Sequence, residues 1–247
     1  MIELRGVSKE YADGHVALRD VTLSIADGTT LALLGPSGCG KTTTLKLINR
    51  LLAPTSGTVL IDGTDIVALD PIALRRRTGY VVQDAGLFPH MTALENVETV
   101  PRLLGWPAER RHRRARELFE LMGLDVSRLS ASYQAQLSGG QRQRVGLARA
   151  LAADPPVVLM DEPFGALDPV TRVRLQGEFL TLKQQLRKTM VLVTHDVDEA
   201  FRLADQIAVL SDGRLVQVGP PDLIRRAPAS AFVAEFLGAH APPRLDA

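Results

Sequence analysis

Gly35-Pro-Ser-Gly-Cys-Gly-Lys-Thr42 ends a glycine-rich run with one lysine and one hydroxyl. Gly35, Gly38 and Gly40 let successive backbone N–H groups converge on phosphate oxygens, while Pro36, Ser37 and Cys39 complete the wrap. A helix starting near Lys41 would add the positive end of its dipole. In this chemistry Lys41 reaches the β- and γ-phosphates and the Thr42 hydroxyl binds Mg²⁺. The G-x-x-x-x-G-K-[ST] spacing arises by chance in a chain of this length on the order of 1% of the time. A generic glycine turn before a helix is the blander alternative, and the flanking strand and helix argue against it. Cys39 reads as a small loop residue, or as a reactive thiol if the helix start lowers its pKa.

Further chemistry sits at the ends of apolar runs. Val157-Val-Leu-Met-Asp161-Glu162 puts two carboxylates at the carboxyl end of a buried strand, where α/β sheets hold ligands. Asp161 would hold Mg²⁺, through water, and Glu162 would polarise an attacking water as general base. His195 follows the run Met190 to Thr194, and Gln83 follows Thr78 to Val82. His195 could cap or pack, or reach a γ-phosphate; Gln83 could ligate Mg²⁺, or be an ordinary loop amide. Spacing leaves both open. Leu137-Ser-Gly-Gly-Gln141 opens a helix with Ser138, Gly139, Gly140 and Gln141, a second anion-binding terminus. One ATP does not need two such ends from one chain.

These residues need elements to place them. Ile2, Leu4, Val7, then Val16, Leu18, Val21, Leu23 and Ile25 alternate around Ala12-Asp13-Gly14, predicting an antiparallel ribbon. Leu31 to Leu34 is a short buried strand before the glycine loop, and Thr42 to Leu52 a helix ended by Pro54 to Gly57. Thr58 to Ile61 and Thr78 to Val82 are strands. From about Met91 to Ala152 the pattern is helical, with breaks at Pro101, Gly105 to Pro107 and Gly123. Val157 to Met160 and Met190 to Val193 are buried strands separated by a helix from Pro169 to Arg187. Ile207 to Leu210 and Leu215 to Val218 form a closing hairpin around Asp212-Gly213. The fold class is therefore α/β, a core carrying an antiparallel β region and an inserted helical stretch.

Composition sets the limits. The chain has 247 residues, Lys+Arg 29 against Asp+Glu 28, a net charge of +1 and one cysteine. That length buries a real core. The single cysteine allows no internal disulfide and fits a reducing compartment. No stretch reaches the ~18 apolar residues of a membrane helix, and the polar start MIELRGVSKEY is no signal peptide. The balanced charge lacks the broad basic footprint of a nucleic-acid binder. The run Arg110, Arg111, Arg113, Arg114 and Arg116, with Arg102 before it, reads as a solvated helix face, with contact to anionic lipid headgroups as the alternative.

Together with the phosphate loop, Leu137–Gln141 and the following Arg142-Gln-Arg-Val145 closely resemble the ATP-binding-cassette (ABC) ATPases over essentially residues 1–238. The resemblance implies a P-loop (RecA-like) core, with a helical subdomain over about 88–152; residues 239–247 would be a disordered tail. It implies that Tyr11 stacks on adenine and that Thr43 lies in reach of phosphate. Gln83 then corresponds to the Q-loop glutamine, Ala166-Leu-Asp168 to the D-loop and His195 to the switch histidine. Two copies would pair head to tail, so that Ser138–Gln141 of one meets ATP on the phosphate loop of the other. Gln134 stands where many relatives carry proline, with the signature itself intact.

A narrower likeness lies in Lys41 to Arg50, in Gly86-Leu-Phe-Pro-His-Met-Thr92 with Glu95-Asn-Val97, and in Val100 to Trp106. These runs resemble bacterial importers of glycine betaine, carnitine or choline. The implied protein is an ATPase subunit at the cytoplasmic face of the membrane, with ATP and Mg²⁺. Its partners would be transmembrane permease subunits, docked at Gln83 to Met91, and a substrate-binding protein. Members of that group often carry a regulatory domain after the ATPase, which this chain would lack. The alternatives are an importer ATPase for a polyamine, sugar or amino acid, and a soluble ABC ATPase acting on nucleic acid or the ribosome. A non-hydrolysing regulatory subunit would be expected to have lost Glu162 or His195, and both are present.

Overall fold

The computed structural model describes residues 1–165 and 167–238. The expected D-loop residue Ala166 and the expected disordered tail, 239–247, lie outside them. The chain forms two compact units, one made of Met1–Asp65 and the chain from Leu192 onward, the other of Ile66–Val191.

In the first unit the alternating residues pair as expected. β1 (Ile2–Glu10) runs antiparallel to β2 (Val16–Ile25), with Ile2 opposite Ile25 and Leu4 opposite Leu23. β3 (Thr30–Leu34) is buried along its whole length and leads to α1 (Lys41–Ile48). β4 (Ser56–Ile61) pairs with the other side of β1, and β5 (Thr64–Asp65) with β4. Helix α1 stops short of the expected Leu52. Arg50 turns left-handed (φ 49°), which ends the helix and leaves Leu51 exposed.

The second unit starts with α2 (Pro71–Arg76), capped by the Asp70 side chain, and β6 (Thr78–Val81). Four helices follow: α3 (Ala93–Leu103), α4 (Ala108–Leu121), α5 (Val126–Leu129) and α6 (Gly139–Leu151). Gly105 and Gly123 take positive φ just beyond α3 and α4, as the sequence suggests. Pro101 does not break the chain; it lies inside α3, in its last turn. So near the helix end it removes one hydrogen bond, and its own carbonyl still accepts from Trp106 N (3.0 Å). On α4 the buried residues Ala115, Leu118 and Phe119 follow the spacing of one helix face. β7 (Val157–Asp161) runs parallel to β6, with Val81 opposite Met160. α7 (Pro169–Leu186) packs Phe179 edge-on to Phe164, ring centroids 5.9 Å apart.

β8 (Thr189–Val193) contains the boundary between the units. In the first unit it is followed by α8 (Val197–Leu203), β9 (Gln206–Ser211), β10 (Arg214–Gly219), α9 (Pro221–Arg226) and α10 (Ala231–Gly238). β9 is parallel to β3, and β10 turns back antiparallel on β9, the hairpin expected around Asp212-Gly213. Ala32 and Leu34 of β3 share a core with Ala200, Ile207, Val209, Ile224 and Val233. Each fully buried Leu, Ile or Val there is worth roughly 1.5–3 kcal/mol relative to exposure, which fixes the strand end preceding Gly35. Helices α2, α8, α9 and α10 were not signalled by the sequence, being too short to display a clear 3.6-residue period. No helix among the described residues is long and apolar enough to cross a membrane.

Candidate functional site

The phosphate loop is shaped by steric necessity. A Cβ on Gly35 would lie 2.1 Å from the Leu210 carbonyl, and one on Gly40 2.5 Å from the Ala17 carbonyl. Both residues also have positive φ (146° and 105°), so glycine is required twice over. Gly40 occupies the N-cap of α1, and no side chain caps this helix start. The Lys41 side chain is buried, and its Nζ donates to the carbonyls of Gly35 (2.6 Å) and Pro36 (2.8 Å). Those carbonyls offset the cost of taking an ammonium out of water and hold the charge inside the loop. Burial pushes the Cys39 thiol pKa up, and nearby Lys41 only partly opposes this. Cys39 is therefore the small packing residue, and the reactive-thiol reading loses its physical basis.

The same unit brings two further residues to this edge. Tyr11 Oη and Thr43 Oγ1 share a hydrogen bond of 3.2 Å, which sets the Tyr11 ring beside the first turn of α1. The ring stacks on His15, with centroids 6.1 Å apart and planes 17° from parallel. Thr194 N donates to the Leu33 carbonyl (3.2 Å), so the exposed His195 begins a turn beside the end of β3. Its neighbour Asp196 caps α8 by accepting from Glu199 N (3.0 Å).

In the second unit the parallel register of β6 and β7 aligns two expected residues. Val81 pairs with Met160, so Gln83 and Asp161 both leave the carboxyl ends of adjacent strands. Glu162 follows in a left-handed conformation (φ 46°), unusual for a residue with a side chain and a sign of local strain. Gly165 N donates to the Glu162 carbonyl (3.2 Å), closing this turn. The Tyr80 hydroxyl pKa rises to about 12, through burial first and the Asp161 charge second.

The signature helix begins differently from α1. Ser138 Oγ accepts from Gln141 N (3.2 Å), while Gln141 Oε1 accepts from Ser138 N (2.8 Å), a reciprocal capping box. The two expected anion ligands with side chains are thus tied to the helix itself, and the N–H groups of Gly139 and Gly140 are the first-turn donors outside the box. Arg142 Nη1 donates to the Leu137 carbonyl (2.7 Å) and pins the approach to the helix. Ser138, Gly140 and Gln141 line a cavity of about 350 Å³ with Arg128, Arg144 and Arg174 and one carboxylate, Asp125; Arg144 and Arg174 both pair with Glu178. Asp168 accepts from Thr171 N (3.0 Å) and caps α7, which holds its carboxyl below the usual range.

The arginine run on α4 is only partly a solvated face. Arg111 donates to the Trp106 carbonyl (2.6 Å) and faces the buried Glu98, which also pairs with His112. Arg110 lies 3.6 Å over the Trp106 ring, and Arg114 reaches the Leu151 carbonyl (3.3 Å). Arg102, Arg110, Arg113 and Arg116 are the exposed members. The sequence gives no structural role to Arg142 and no sign of the left-handed backbone at Glu162. A guanidinium bond to a carbonyl five residues back and a φ angle leave no composition signal.

An uncapped helix start behind a glycine loop and a buried lysine, on parallel strands, defines the P-loop α/β class. The family can be stated more narrowly. The family model described as ABC transporter matches residues 18–165, and the chain belongs to that family. It is 56% identical over 238 residues to the glycine betaine/carnitine/choline transport ATP-binding protein OpuCA of Bacillus subtilis, a match covering 96% of this chain and 62% of that protein. It is 50% identical over 238 residues to the glycine betaine uptake system ATP-binding protein YehX of Escherichia coli, covering 96% and 77%. The chain thus spans less than two thirds of the length of OpuCA. A solved dimeric ATP-binding cassette, in a post-hydrolysis state bound to ADP and Pi, superposes with a TM-score of 0.80 at 38% identity. That match covers 90% of this chain and 99% of the other.

Proposed function

We propose that this chain is the ATP-hydrolysing subunit of an ABC importer for glycine betaine or a related quaternary-amine osmoprotectant. Residues 1–238 serve as its ATPase domain, with a helical subdomain over about 88–152. The observation that carries the reading is the buried Lys41 ammonium held at the uncapped start of α1, a cradle built for phosphate. The substrate class is supported by the likeness to OpuCA and YehX, named for glycine betaine and related solutes.

The chain's own residues divide the work. The Tyr11 ring stacks on adenine. Backbone N–H groups of Gly35 to Thr43 hold the phosphates, and Lys41 swings from its two carbonyls to the β- and γ-phosphates. Glu162 polarises the attacking water as general base, and His195 steadies the γ-phosphate. Thr42, Gln83 and Asp161 offer hydroxyl, amide and carboxylate oxygens, the hard donors that Mg²⁺ prefers. Among the described residues no group of three or more His, Cys, Asp or Glu gathers for a metal. When bound, that ion neutralises charge on the phosphoryl oxygens.

A second copy pairs head to tail and presents its Ser138–Gln141 turn to the γ-phosphate, which explains why one chain carries two anion-binding helix starts. Permease subunits dock on the segment from Gln83 to Met91 at the cytoplasmic face of the membrane, with a substrate-binding protein delivering the solute. The decisive experiment is steady-state ATP hydrolysis by Glu162→Gln. Retained ATP binding with turnover lowered by roughly 10²–10⁴ is expected for loss of a general base. Wild-type turnover would remove Glu162 from the mechanism. Uptake of labelled glycine betaine, choline and carnitine by cells with and without the chain tests the solute; indifference to all three sinks that assignment.

A further inference from the structure

The segment after Gln83 has a conformation that it would not hold by itself. Asp84, Ala85 and Gly86 all have positive φ (58°, 62° and 51°), and two of the three carry side chains that disfavour it. The restraint comes from α6. Arg149, in its last turn, donates through Nη2 to the Ala85 carbonyl and through Nη1 to the Gly86 carbonyl, each at 2.8 Å. It also reaches Asn96 Oδ1 (3.4 Å) and lies 5.4 Å from the centre of the Phe88 ring. The guanidinium meets the two carbonyls with two separate nitrogens held in a fixed planar fork, whereas a lysine would have to serve both from the single nitrogen of a differently shaped side chain.

Asn96, on α3, continues the restraint downstream. Its Oδ1 accepts from Phe88 N (2.8 Å), and its Nδ2 donates to the carbonyls of Phe88 (3.2 Å), Met91 (3.3 Å) and Thr92 (3.0 Å). The backbone of α6 also closes directly on the loop. A Cβ on Gly146 would lie 3.0 Å from Ala85 Cβ, a tight contact that glycine avoids, so Ala85 sits close against the helix backbone. The helix that starts at the signature turn is therefore fastened, near its other end, to the loop that follows Gln83. At 13 residues α6 is a rod of about 20 Å.

We propose that Arg149 is a positioning residue for Gln83. It holds Asp84–Gly86 left-handed and ties the Gln83 loop to the far end of the helix whose first turn is Ser138–Gln141. A displacement of that first turn then reaches Gln83 through a rigid rod and a two-pronged clamp. The role in turnover rests on the reading of Gln83 as part of ATP hydrolysis, whereas the clamp itself does not.

Two measurements on the full chain separate these parts. Amide hydrogen exchange compares wild type with Arg149→Lys. Exchange at residues 84–88 is expected to speed up by at least about tenfold, with protection in the middle of α6 unchanged. Unchanged exchange at 84–88 overturns the clamp whatever the activity. The second measurement is a double-mutant cycle of Arg149→Lys and Gln83→Ala on ATP hydrolysis. Arg149→Lys alone should lower kcat by about tenfold with KM for ATP within about twofold, as expected for a misplaced group near the reaction. In the Gln83→Ala background the same change should alter kcat by less than about twofold. Equal losses in both backgrounds, or a raised KM at wild-type kcat, overturn the positioning role. Where Arg149→Lys does not fold, Arg149→Met, which keeps an unbranched side chain and removes both donors, is judged by the same two criteria. Absent turnover in wild type, or full turnover in Gln83→Ala, defeats the functional reading instead, and hydrogen exchange still decides the clamp.

Discussion

Helices α1 and α6 both begin with glycines, yet their first turns are completed in opposite ways. At α1 the N-cap is Gly40, no side chain closes the turn, and the nearest cation is drawn inside the loop by two carbonyls. At α6 Ser138 and Gln141 cap each other, and Arg142 secures the residue before them. The first terminus has no side-chain cap, whereas the second is closed by its own reciprocal side-chain bonds. An open terminus suits a tightly held phosphate, and a self-capped one suits a partner's phosphate that comes and goes.

The strongest way to break this comparison is Lys41→Ala. It should weaken ATP binding at least about a hundredfold and lower turnover on the order of a thousandfold, since it removes the one cation built into the loop. Wild-type affinity by titration calorimetry would mean that α1 is no phosphate site. Next comes Gly139→Asp, which places a carboxylate on the first turn of α6. It should leave the Kd of a single copy for ATP unchanged while cutting turnover roughly a hundredfold, and should not lower stability, because the added charge favours a helix start. An equal fall in affinity would erase the distinction between the two termini.

Smaller effects sharpen it. Ser138→Ala removes a cap and should cost about 1 kcal/mol, a fall in Tm of about 2–4 °C. Ser37→Ala in the loop before α1 should leave Tm unchanged, as no side-chain cap exists there to lose. The smallest effect concerns Cys39. Its folded pKa lies above the ordinary value, so native protein holds less thiolate than the unfolded chain at any pH near 8. Alkylation by iodoacetamide should be slower in native protein than in denatured protein and should rise only as pH passes the ordinary thiol value. The stability linked to this group is present below that value and declines above it. Fast alkylation of native Cys39 at pH 7 would restore a reactive thiol.

How much of this was legible beforehand depends on the range of the interactions. The ribbon of β1 and β2, the buried β3, β7 and β8, and the hairpin of β9 and β10 follow from two-residue alternation, apolar runs and turn residues. Each is a local rule. The early end of α1 was missed because a left-handed Arg50 is not written in a residue type. Pro101 was misplaced as a break because its cost depends on distance from the helix end, which the sequence alone does not mark. The arginine run was read as one solvated face, although Arg111 and Arg114 turn inward to Glu98 and to the Leu151 carbonyl.

The sequence by itself determined the chemistry on offer. Gly35 to Thr42, Asp161-Glu162, Gln83, His195 and Ser138–Gln141 declare it through residue type and spacing, because phosphate binding uses short contiguous stretches of backbone. Tertiary structure alone decided how each group is held. It drew Lys41 onto the Gly35 and Pro36 carbonyls, set Tyr11 against Thr43, and closed Arg149 on Ala85 and Gly86 across more than sixty residues of chain. Contacts of that range cost loop entropy, which only a packed core repays, so they leave no periodic trace in the sequence.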